Sequence, residues 1–126
     1  MVTENKIKVL VIDDDEIVRL TIESLLAAQN VEIILAEDGE EGIQKAQKFL
    51  PDAILLDVMM PRMDGYETCL RLRANPQTAE IPIFMVTALD DRDSRLAGFA
   101  AGADDFIAKP YHIEIMTTVL ARHVRD

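Results

Sequence analysis

The chain carries short, nearly uninterrupted apolar runs at even intervals: Ile7 to Ile12, Val31 to Ala36, Ala53 to Leu56, Ile83 to Val86 and Phe106 to Ala108. A strand with one face in water alternates apolar and polar residues, whereas a strand covered on both faces has no reason to alternate. Runs this short and this rich in β-branched residues therefore predict parallel strands buried between layers of helix.

The segments between the runs have helical periodicity. Val18, Ile22, Leu25 and Leu26 fall on one face, Asp15 stands where a cap belongs, and Gln29-Asn30 marks the end. Asp38-Gly39 opens a second helix that stops near Leu50-Pro51. Gly65 to Ala74 forms a third, halted by Asn75-Pro76. Asp90 or Asp91 caps a fourth, and Gly102 stands where a helix C-terminus takes a left-handed residue. Ile113, Met116, Leu120 and Val124 stripe a fifth. Strand and helix alternate through linkers short enough to require right-handed crossovers, which defines a doubly wound α/β sheet. The functional crevice of such a sheet lies at the carboxyl ends of its strands.

The residues that follow the runs carry the chemistry. Asp13, Asp14 and Asp15 follow the first, Asp57 the third, Thr87 and Ala88 the fourth, and Lys109 and Pro110 the fifth. Hard oxygen ligands gathered at one sheet edge suit Mg²⁺, with Mn²⁺ as the alternative ion. A lysine and a hydroxyl beside them suit an anion, and a phosphoryl group is the natural candidate. Each residue also has a plain reading: Asp15 is a helix cap, Lys109 alone a surface lysine, Thr87 alone a strand hydroxyl. Asp13 and Asp14 resist that reading, because adjacent like charges repel unless a cation joins them.

Composition narrows the classes. With 126 residues and 49% hydrophobic residues, a single domain with a real core is expected over 1–126, its core about 6–124. A net charge of −10 argues against direct nucleic-acid binding, although acidity also serves solubility alone. The sequence shows no stretch fit to span a bilayer, and the N-terminus is too polar to begin a secretory signal. Cys69, the single cysteine, suits a cytoplasmic location.

The segments "VLVIDDDE", "LLDVMMPRMDG", "MVTA" and "GADDFIAKP" together resemble, in order and spacing, the signatures of response-regulator receiver domains of two-component signalling. The resemblance runs from about Lys6 to His123. It implies a flavodoxin-like (βα)5 sandwich with strand order 2-1-3-4-5, and a phosphoacceptor rather than an enzyme acting on an external substrate. By that resemblance Asp57 receives the phosphoryl group from a sensor histidine kinase or phosphotransfer protein. Asp14 and Asp57 bind Mg²⁺, Met59 offers its backbone carbonyl, and Asp13 acts through water. Thr87 and Lys109 contact the phosphoryl oxygens, Ala88 leaves room for them, and the Lys109-Pro110 bond is cis. Phe106 occupies the aromatic switch position. Lacking a hydroxyl, it acts by packing alone, or else is a static strand aromatic.

Asp64-Gly65 and Asp104-Asp105 read as turn chemistry, Cys69 as a packed thiol, and His112 and His123 carry no assigned role. The resemblance also implies an output domain or partner protein reached through the fourth helix, fifth strand and fifth helix. Ile115 and Val119 broaden the apolar face of that last helix, which either meets a partner or second copy or widens the core. Met59 and Leu89 flank the site and would slow water's access to a phosphoryl group. Two other classes compete: a receiver fold used purely as a scaffold, and a phosphatase of the haloacid-dehalogenase type. Retention of Asp13, Asp14, Asp57, Thr87 and Lys109 opposes the first. Met59, standing where the second needs an acid, opposes the other. Whether the chain acts alone or heads a longer regulator stays open at this level.

Overall fold

A computed structural model describes residues 7–27, 31–88 and 92–108. Along them run β1 (Ile7–Ile12), α1 (Glu16–Ala27), β2 (Val31–Ala36), α2 (Gly39–Phe49), β3 (Ala53–Asp57), α3 (Gly65–Ala74), β4 (Ile83–Thr87), α4 (Arg92–Ala101) and β5 (Asp105–Ala108). All strand pairs are parallel and the order is β2-β1-β3-β4-β5. This is the expected doubly wound sheet. The fifth helix, with Ile115 and Val119, lies outside the described residues.

The sheet divides the core in two. Leu10, Ile12, Ile54, Leu56, Ile83 and Met85 point to the face that meets Ala46 of α2, Cys69 and Leu72 of α3, and Ala101 of α4. Val9, Val11, Leu55, Phe84, Val86 and Ile107 point to the other face, against Ile22 and Leu26 of α1. Both sets are buried, which explains why these strands read as continuous runs. Fully burying each large side chain contributes about 1.5–3 kcal/mol, so the central strands anchor the fold. At the edge, only Ala36 of β2 is buried and Glu32 is exposed, as befits a strand paired on one side.

The caps fall where the sequence puts them. Asp15 accepts from the N–H of Ile17 at 2.9 Å, Asp38 from Glu41 at 2.8 Å and Asp64 from Glu67 at 2.9 Å, each meeting an N–H that the helix cannot satisfy itself. Gly102, at φ 109°, closes α4: its N–H reaches Phe99 and that of Ala103 reaches Gly98. The caps proposed at Asp90 or Asp91, and Gln29-Asn30, lie outside the described residues. Among the described residues, two left-handed ones are not glycine, Leu50 at φ 47° and Arg62 at φ 67°. Leu50 ends α2 with its N–H on the Ala46 carbonyl, just before Pro51.

Two strands run one residue further than the apolar pattern. Asp57 pairs with Val86, and Thr87 with Ala108. The strand ladder is made by backbone, so it continues through a polar side chain, while hydropathy stops there. For the same reason β5 begins at Asp105 rather than Phe106.

Candidate functional site

The strand order reverses direction of growth around β1, and its carboxyl end adjoins that of β3. Ile12 is in register with Leu56, so the next residues, Asp13 just past β1 and Asp57 at the end of β3, stand side by side at the carboxyl edge of the sheet. Carboxylate oxygens of Asp13, Asp14 and Asp57 all lie within 4.8 Å of one another. Asp13 and Asp57 are buried, at 1% and 4% exposure, while Asp14 faces solvent. Thr87, next along the sheet edge at the end of β4, is buried too.

Local structure holds these groups. The N–H of Asp13 donates to Ala36 of β2 at 3.1 Å, fixing the end of β1. Its side chain accepts from the N–H of Asp15 at 2.9 Å, and its carbonyl accepts from Arg19 of α1 at 2.7 Å. Arg19 has no signal in the sequence beyond its place on the first helix; only the fold brings it to the rim. After Asp57 the chain loops out through Met59, which is exposed, and returns with the N–H of Gly65 on the carbonyl of Val58 at 2.9 Å. A side chain at Gly65 would overlap the Asp57 carbonyl and stand 2.8 Å from the Val58 Cα. The Asp64-Gly65 pair is thus a cap and a close approach, in keeping with its reading as a turn.

The donor set is all oxygen, and its partial exposure leaves room for retained water. Three carboxylates in one cleft repel one another unless a cation or protons join them. Together these properties fit a small, hard divalent ion such as Mg²⁺. Asp104 and Asp105 take no part in the cluster, as the turn reading expects: Asp104 accepts from Arg73 at 2.7 Å and from the Ile83 N–H at 2.8 Å. Cys69 is buried on α3, and burial pushes its thiol up to about 11, with Arg73 pulling the other way. Phe106 sits against Gly98 of α4, where a side chain would overlap its ring, and edge-on to Phe99 at 5.1 Å between centroids. Ala88 is exposed just beyond β4. Lys109, Pro110 and Leu89 lie outside the described residues.

The fold and acidic cleft define a doubly wound α/β domain with a candidate divalent-cation site at its switch point. The response regulator receiver domain family matches residues 9–121, and the chain belongs to that family. It is 45% identical over 103 residues to the response regulator PleD of Caulobacter vibrioides, covering 82% of this chain and 23% of PleD. The chain spans less than half the length of this and other curated relatives that it matches.

Among solved structures, the chemotaxis protein CheY4 of Vibrio cholerae is 33% identical with a TM-score of 0.91, over 95% of this chain and 100% of that one. The receiver domain of the sensor histidine kinase PA1611 of Pseudomonas aeruginosa is 28% identical with a TM-score of 0.88, over 94% and 98%. That structure holds a magnesium ion in its active-site cleft. Among the described residues of the present chain, no helix is long and apolar enough to cross a membrane.

Proposed function

We propose that this chain is a phosphoacceptor, taking a phosphoryl group on Asp57 from the phosphohistidine of a sensor kinase or phosphotransfer protein in a Mg²⁺-dependent reaction. The observation that carries the reading is the gathering of Asp13, Asp14 and Asp57 within 4.8 Å at the adjoining ends of β1 and β3.

Asp57 attacks phosphorus through a carboxylate oxygen; the nitrogen–phosphorus bond breaks, and the histidine leaves with that electron pair and takes up a proton. Asp14, Asp57, the Met59 carbonyl and, through water, Asp13 would hold the ion, which supplies positive charge to the transferring oxygens. Burial of Asp57 restricts its rotamers and aims its oxygen out of the strand end, so positioning supplies much of the rate. The Thr87 hydroxyl donates to a phosphoryl oxygen, and Lys109 balances its charge. Hydrolysis of the acyl phosphate resets the protein without an external substrate.

Phosphorylation biases a surface formed by α4, β5 and the fifth helix through Thr87 and Phe106, and that surface controls an output domain or partner protein. The reaction belongs in the cytoplasm, where sensor kinases present phosphohistidine. Incubation with Mg²⁺ and a small-molecule phosphodonor, read by intact mass, tests the reading. One added phosphoryl group, lost when Mg²⁺ is omitted and absent in Asp57→Asn, is expected. An unmodified wild type that binds Mg²⁺ normally would favour a scaffold role.

A further inference from the structure

The return of the chain after Asp57 does more than close a loop. Gly65 rests on the Asp57 carbonyl with no room for a side chain, so the start of α3 moves with the backbone of the phosphoacceptor. The next residue, Tyr66, is half-buried, with its ring packed against the core cluster that includes Met85, Ala101 and Ala103. Its hydroxyl donates to the backbone carbonyl of Ser94, in the first turn of α4, at 3.2 Å. A carbonyl has two lone pairs, so Ser94 can accept the phenol and keep its place in the helix.

That contact matters because α4 is lightly held. Its buried residues are Gly98 and Ala101, two of the smallest side chains, while Leu96 and Phe99 are about half exposed. Its own buried side chains bring little apolar area to the helix, so a hydrogen bond to its first turn adds to the hold. We propose that Tyr66 is a positioning residue that links the backbone of Asp57 to α4, by a route separate from Thr87 and Phe106. The link to output rests on the receiver reading above; the tether itself does not.

Amide hydrogen exchange across α4 tests it, with Tyr66→Phe keeping the ring and removing the hydroxyl. In the unphosphorylated protein, exchange at residues 96–101 is expected to quicken roughly 2- to 10-fold in Tyr66→Phe, with α2 unchanged. Unchanged α4 exchange in Tyr66→Phe, or an equal rise throughout the protein, would overturn the tether.

The second arm compares each protein with and without Mg²⁺ and phosphodonor. Coupling requires that the change in α4 exchange on phosphorylation differ at least 2-fold between wild type and Tyr66→Phe at equal phosphoryl content. The same offset in both states would reduce Tyr66 to a structural contact and overturn the coupling. A wild type that takes up no phosphoryl group would sink the phosphoacceptor reading and the coupling with it, while the first arm still decides the tether.

Discussion

The two ends of the sheet use the same residue type for opposite purposes. At the amino end of β4, Asp104 accepts from Arg73 and from the Ile83 N–H, while Arg73 also donates to the carbonyls of Gly102, Ala79 and Ile81 at 2.6–3.0 Å. One guanidinium thereby ties α3, the turn before β5 and the approach to β4, and every charge it meets is of opposite sign or a carbonyl dipole. At the carboxyl end, Asp13, Asp14 and Asp57 converge with like charge, two of them buried. The first arrangement is complete in itself and stabilises the fold. The second gathers like charge at one edge, and a cation held among the three carboxylates would lower their repulsion.

Breaking the amino end should cost the most. Arg73→Ala leaves several carbonyls and one carboxylate without their donor, and is expected to destabilise by about 2–4 kcal/mol in denaturant titration, with phosphoryl uptake by the folded protein retained. Added Mg²⁺ should not specifically repair the loss. A cost near zero would mean that this end is held by packing alone.

Cys69 reports on the same end. With its thiol pushed up to about 11 from 9.0, chiefly by burial, its thiolate fraction at pH 8 falls roughly 100-fold. Alkylation should therefore be slower in the native protein than in the unfolded one by at least that factor. The stability this thiol contributes is present below pH 9 and is lost as pH rises toward 11, because the unfolded chain releases its proton first. Native and unfolded alkylation rates that agree would show the end to be open.

At the carboxyl end the sign of the expected effects depends on the ion. Mg²⁺ at a hundred times its dissociation constant should stabilise the wild type by about 2.7 kcal/mol. Asp57→Asn in chelator should be more stable than wild type by about 1 kcal/mol, since one of three like charges is gone. In Mg²⁺ the order should reverse, because the amide is the poorer ligand. A mutant less stable than wild type in chelator would mean that the cluster carries no repulsion, and the contrast between the two ends would fail.

Much of this was legible in the sequence because it is local. The apolar runs mark the strands through burial on both faces, and Asp15, Asp38 and Asp64 mark helix starts through the orphan N–H groups that they satisfy. The clustering of Asp13, Asp14 and Asp57 follows from topology once the runs are taken as parallel strands. Contacts that a side chain makes with groups distant in sequence left no such mark. Arg73 reaches Asp104 across 31 residues, and Tyr66 reaches Ser94 across 28, with nothing in either neighbourhood to announce a partner. Leu50 and Arg62 adopt left-handed backbone that residue type alone argues against. The reach of β3 and β4 through Asp57 and Thr87 was hidden because the ladder is backbone and hydropathy reads side chains.

The central claim is that the carboxyl end makes an acyl phosphate at Asp57. Treating the phosphodonor-exposed protein with borohydride, digesting it and sequencing the peptides by mass spectrometry tests that directly, since the reductant converts an aspartyl phosphate to homoserine and spares a free carboxylate. Homoserine at position 57, dependent on Mg²⁺ and accompanied by no other converted aspartate, is the expected result. Conversion at Asp13 or Asp14 instead, or a phosphoryl group that survives reduction on a hydroxyl such as Thr87, would contradict the account.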